Sequence, residues 1–105
     1  MATITGRFYF KQTSNGNLIG EFSNDKSTGI STESADLLGC NNIGFLGTYN
    51  STWRENRTPS FADLEITHKP NTNNKIFTLK WRGKSNFDGE GMLCDNILIG
   101  DYHDV

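Results

Sequence analysis

Cysteine is scarce in this chain. Cys40 and Cys94 are its two thiols, too few for a disulfide framework or a closed four-ligand zinc site, and they are read as free, buried thiols. Histidine is equally sparse: His68 and His103 have no second histidine at i+2 or i+4 to make a chelating pair. His103, flanked by Asp101 and Asp104, reads as part of a solvated end rather than a metal site, so no metal or other cofactor is expected. Charge of one sign is also lacking. A formal net charge of −2 with 21% charged residues excludes the basic balance of a polyanion binder. No apolar run approaches the ~20 residues needed to cross a bilayer. The first residues, Met1 to Gly6, carry neither the basic nor the long apolar region of a signal peptide. A cytoplasmic protein is expected, in which the sequons Asn50-Ser51-Thr52 and Asn56-Arg57-Thr58 have no role.

Apolar residues make up only 34% of the 105 residues, so seven Phe, three Tyr and two Trp must supply much of the core. Each aromatic side chain buries ~150–250 Å². A chain of this length forms one domain, here residues 1–105, with one core.

Short β-type runs separated by polar turns dominate the pattern. Thr3 to Phe10 and Leu18 to Ser23 flank Asn15-Gly16, a type I′ hairpin signal. Asn24 to Gly29 reads as a loop. Ser31 to Leu38 reads as one short helix, capped by Ser31 or Thr32, with Glu33 in the first turn and Gly39 at its end. Ile43 to Trp53 is expected to be the longest strand, followed by a charged turn over Arg54 to Pro59. In Phe61 to His68, Ala62, Leu64 and Ile66 alternate with Asp63, Glu65 and Thr67. In Lys75 to Arg82, Phe77, Leu79 and Trp81 share one face. Between these two runs lies a turn cluster, Pro70 to Asn74. Phe87 to Cys94 and Ile97 to His103 are joined by the tight pair Asp95-Asn96. Short connections favour a meander, and closing the sheet removes its two edges. The fold class is therefore all-β, an antiparallel up-and-down barrel of seven or eight strands.

Four strands repeat one pattern, a glycine two residues before an aromatic: Gly6-Arg7-Phe8, Gly20-Glu21-Phe22, Gly47-Thr48-Tyr49 and Gly100-Asp101-Tyr102. Period 2 puts glycine and ring on one face. A strand glycine costs ~0.5–1 kcal/mol, so the repetition needs a reason. Inward-facing glycines let a small sheet bend shut and leave room for a neighbouring ring.

Gly47-Thr48-Tyr49-Asn50-Ser51 resembles the Gly-Thr-Tyr-x-Ser strand of the avidin-type barrels, and Ile4-Thr5-Gly6 resembles their opening strand. More loosely, Gly6-x-aromatic is similar to the Gly-x-Trp that opens lipocalin barrels. The resemblance implies an eight-stranded calycin-like barrel in which Tyr49 and Ser51 make polar contacts to a ligand. The full set of ligand-capping tryptophans has no counterpart in this chain.

Tyr49 to Trp53 places hydroxyls, an amide and an indole at a strand end, as barrel mouths that bind small molecules do. With Trp81 and Glu90 these residues form the candidate ligand site: Tyr49, Ser51, Trp53, Trp81 and Glu90. The competing reading makes Trp53 and Trp81 plugs of the barrel and leaves the polar groups to water. No nucleophile frame or phosphate loop appears. Lys80, Arg82 and Lys84 alternate with Trp81, so charges and ring lie on opposite faces, unlike a single-strand nucleic-acid platform. The function expected is non-catalytic binding of a small hydrophobic or aromatic ligand, without nucleic acid or membrane partners. The alternatives are a filled interaction barrel that homodimerises and a small isomerase-type enzyme using Glu21 or Glu90.

Overall fold

The structure is a computed structural model that describes residues 3–39, 44–55, 57–72 and 75–105. Eight antiparallel strands follow one another in the order β1 (Thr5–Gln12), β2 (Leu18–Asn24), β3 (Ser31–Leu37), β4 (Gly47–Glu55), β5 (Thr58–His68), β6 (Ile76–Gly83), β7 (Phe87–Cys94) and β8 (Ile97–Asp104). Each pairs with its sequence neighbour, and β1 closes on β8 with Thr5 opposite His103 and Lys11 opposite Ile97. The result is an up-and-down barrel without a free edge, the general shape of calycin barrels.

Strand alternation sorts the side chains. Phe10, Leu18, Ala35, Tyr49, Leu64, Leu79 and Leu98 point inward and are fully buried. The outward-facing Lys80 and Arg82 are solvated, and Arg82 Nη2 pairs with Asp88 at 2.7 Å. Trp81, between them, faces in. The repeated glycines do face the interior. A Cβ on Gly6 would lie 2.6 Å from the Tyr102 ring, and one on Gly100 would run into the Glu90 carbonyl oxygen. At these points a ring or a neighbouring strand occupies the volume a side chain would need.

Several local expectations are corrected. Ser31–Leu37 is a strand, not a helix. Glu33 and Ala35 are both buried while Thr32, Ser34 and Asp36 are exposed, a period of 2. Ladders on both sides satisfy the backbone, Ala35 lying opposite Leu18 of β2 and Ser51 of β4. An acid on the inner face disguised that period. The strand expected over Ile43 to Trp53 begins at Gly47, because Gly44 and Gly47 adopt positive φ (63° and 149°), and it continues to Glu55; Ile43 lies outside the described residues. The charged turn expected at Arg54 to Pro59 shrinks accordingly. Arg54 pairs with Pro59 and Glu55 with Thr58, and Arg57 takes a positive φ of 68°. β5, at 11 residues, is the longest strand.

The first hairpin exists, but with a wider turn than Asn-Gly type I′. Gly16 N–H donates to the Thr13 carbonyl at 3.0 Å, and Gly16, not Asn15, has positive φ. At the β7–β8 turn, Asp95 and Asn96 both have positive φ (52° and 65°), as a two-residue turn requires. Cys94 is a free thiol but exposed, since it ends β7 facing outward; Cys40 lies outside the described residues. Among the described residues, no helix is long and apolar enough to cross a membrane.

Candidate functional site

The two halves of the barrel differ. Phe10, Leu18, Tyr49, Leu64, Leu79 and Leu98 fill the half that holds the β1–β2, β5–β6 and β7–β8 turns. The other half opens at the start of β1 and the ends of β2, β4 and β6. There a cavity of about 430 Å³ lies between Phe8, Phe22, Trp53, Trp81, Phe87 and Tyr102, with Lys26 and Arg54 among its polar lining.

Four of these rings form a closed circuit of edge-to-face contacts. Trp53 to Phe22 is 6.4 Å, Phe22 to Tyr102 is 6.1 Å, Tyr102 to Phe87 is 5.7 Å and Phe87 to Trp53 is 6.4 Å between centroids. Trp81 packs against both Tyr102 (6.0 Å) and Phe8 (5.6 Å). The Tyr102 hydroxyl accepts from Asn24 Nδ2 at 3.0 Å, fixing that ring at the rim.

Glu33 also lines this cavity and is 7% exposed. Two donors converge on one of its oxygens. Ser51 Oγ, from the adjacent β4, donates to Oε2 at 2.5 Å, and Trp81 Nε1 donates to the same atom at 2.8 Å from β6, across the interior. No donor among the described residues reaches Oε1. Burial pushes the Glu33 carboxyl up to about 7, against the two hydrogen bonds, which favour the ionised form. A buried acid near neutrality is able to exchange between an ionic acceptor and a neutral donor at physiological pH.

The expected site residues separate into groups. Trp53 and Trp81 line the cavity with Glu33, and Ser51, fully buried behind it, joins them through its bond to the Glu33 carboxylate. Tyr49 shares their inward face but lies deeper, where its hydroxyl donates to the Phe45 carbonyl at 2.8 Å. Glu90 is not brought to them. It sits between inward-facing Gly89 and Gly91, so it faces outward, and Lys69 Nζ pairs with its carboxylate. Glu21 is on the outer wall as well, where it accepts from the Tyr9 hydroxyl; that bond holds the phenol above its ordinary value. Asp104 binds Thr3 Oγ1 (2.5 Å) and the amides of Thr3 (2.7 Å) and Ile4 (2.8 Å), and these bonds hold its carboxyl at about 2. Thr3 and Ile4 are thereby tied to the end of β8 beside the mouth.

No family model, curated protein or solved structure matches the chain. Glu33 is the residue that sequence reasoning missed. Its signal was the alternation Ser31, Glu33, Ala35, Leu37, which marks a strand whose inner face carries an acid. A second depression of about 560 Å³ runs along the outer wall past Tyr9, Lys11, Glu21 and Thr52, and Glu33 and Trp53 contribute to its lining as well.

Proposed function

We propose that this protein binds a small ligand, without catalysis, in the open half of its barrel. The observation that carries the reading is the mouth cavity of about 430 Å³, walled by aromatic rings and lined by the buried Glu33 carboxylate. Its size falls in the range of small-molecule sites, ~300–1,000 Å³, and its aromatic side chains are joined by a polar set that includes Asn24, Ser31, Glu33 and Arg54. Trp53, Trp81 and Ser51 belong to this site together with Glu33. The avidin-type and lipocalin barrels, which the Gly47 to Ser51 segment and the opening strand resemble, offer an analogy of fold for a ligand held at the mouth. Glu21 and Glu90, the two candidates of the isomerase reading, both face outward, where Glu21 accepts from Tyr9 and Glu90 pairs with Lys69.

A native mass spectrum of protein purified from its own cells tests the reading. A retained small-molecule adduct is expected, and Ser31→Trp, which fills the mouth from the start of β3, should abolish it without changing the circular dichroism spectrum. An adduct-free protein whose mouth admits no small probe overturns the reading.

One observation favours a second reading, self-association. Met92 and Ile99 lie directly opposite each other on the outer face of β7 and β8 and are 53% and 41% exposed. Sedimentation at rising concentration distinguishes it. A constant monomer mass sinks a dimer built on this face.

A further inference from the structure

Resting on the mouth-binding reading, we propose that the ligand carries a single protonated nitrogen, a primary ammonium on an aromatic or apolar body, whose N–H donates to Oε1 of Glu33. Two independent features of the cavity lead there. The first is the asymmetry of the Glu33 carboxylate. Oε2 already accepts from Ser51 and Trp81, whereas Oε1 has no donor among the described residues. A buried carboxylate oxygen without a donor leaves a desolvated acceptor, which a ligand N–H would satisfy. Ser51 and Trp81 also fix the position of the carboxylate group, so it is preorganised for that contact. The second feature is the circuit of rings. Trp53, Phe22, Tyr102 and Phe87 line the cavity in edge-to-face contact with one another, and aromatic rings attract cations. Rings alone would take any apolar body, and a carboxylate alone would take any donor. Together they select a cation joined to an apolar body.

The rim sets the orientation. Lys26 and Arg54 line the outer part of the cavity, and the Arg54 guanidinium is tied by a 2.9 Å bond from Nη2 to the Arg57 carbonyl. Two positive groups at the entrance disfavour a second positive charge at the outer end of the ligand, so a monoamine fits better than a diamine. The ammonium goes deep and the apolar body fills the collar.

Ionisation supplies a signature. The ionisable groups lining this cavity besides Glu33 are Lys26, Arg54 and Tyr102, so Glu33 is its one carboxylate among the described residues. With Glu33 at about 7, the carboxylate is about nine-tenths ionised at pH 8 and about one-tenth ionised at pH 6. A ligand that needs the ionised form therefore binds about tenfold more weakly at pH 6. A ligand that accepts the Glu33 proton through a carbonyl would show the opposite trend.

The test uses three probes of one shape: 2-phenylethylamine, 2-phenylethanol and 3-phenylpropionate. Binding to the full chain is followed by tryptophan fluorescence, since Trp53 and Trp81 line the cavity. The amine should bind at least tenfold more tightly than the alcohol, and more tightly than the carboxylate, which Glu33 repels although Lys26 and Arg54 attract it at the rim. Its affinity should fall about tenfold from pH 8 to pH 6. Glu33→Gln should remove both the preference for the amine and the pH dependence. The pH comparison is made on the wild-type chain, so it stands even if the variant fails to fold. Equal binding of the three probes, or tighter amine binding at pH 6, overturns the ammonium proposal and leaves the mouth reading intact. So does unchanged amine binding by a folded Glu33→Gln chain. If none of the three binds, the ammonium proposal falls; a retained adduct in the native mass spectrum then keeps the mouth reading, and its absence removes that as well.

Discussion

Glu33 concentrates the chemistry of this barrel because three elements act on one carboxylate. β3 buries it, Ser51 on β4 and Trp81 on β6 each donate to Oε2, and burial still outweighs both donors and lifts the acid to about 7. Removing one donor should raise it further. In Ser51→Ala the midpoint of the Glu33 carboxyl, followed by carbon-13 NMR, is expected above the wild-type value; an unchanged or lower midpoint would show that the hydroxyl does not favour the ionised form. The same effect of burial links stability to pH. The folded chain holds the Glu33 proton more tightly than the unfolded chain, so this group's stabilising contribution is fully present below pH 4.5 and is lost as pH rises through about 7. Across that window wild type should lose ~3 kcal/mol relative to Glu33→Gln, because a tenfold difference in proton affinity between the folded and unfolded chains is worth ~1.4 kcal/mol. Urea titrations of both chains at pH 4.5 and pH 8 read the difference directly, and parallel pH profiles would contradict it.

At the scale of elements, hairpins and the spacing of inward groups were legible, while one element type was not. The Asp95-Asn96 pair announced its turn, and both residues adopt the left-handed backbone such a turn needs. Asn96→Val places a β-branched residue at φ 65° and should cost ~1–2 kcal/mol, seen as a lowered midpoint in thermal unfolding. A variant as stable as wild type would show that the turn rearranges freely. Ser31 to Leu37 went the other way. Ser, Glu, Ala and Leu in a short run suit a helix start, and the acid at position 33 hides the alternation that identifies a strand. Tertiary pairing overrides the local preference, because β2 and β4 supply ladder partners on both sides.

The whole molecule is closed by β1 on β8 and strapped there by Asp104, which holds Thr3 and Ile4. These hydrogen bonds lower its carboxyl from 3.8 to about 2, so the strap's contribution is present above pH 3.8 and is lost as pH falls through about 2. Amide exchange of Thr3 and Ile4 should accelerate over that window before the central strands lose protection. Simultaneous loss everywhere would mean the strap is not a separate unit. The filled half sets overall stability: Leu64→Ala, at a fully buried position, should cost ~2–5 kcal/mol in denaturant titration.

The sequence by itself determined the strand spacing, most turns and the inward set of glycines and rings, because each is written within a few residues at period 2. It also placed Ser51, Trp53 and Trp81 on inward faces. Only the tertiary structure decided what those faces meet. Closure brings Trp81 of β6 across the interior to Glu33 of β3, a contact between residues 48 apart in the chain. That distance in sequence is why no local pattern showed the pair. Closure also left a cavity at one end of the barrel, bordered by rings that belong to the same core as the other end, since that depends on which side chains from all eight strands share each level.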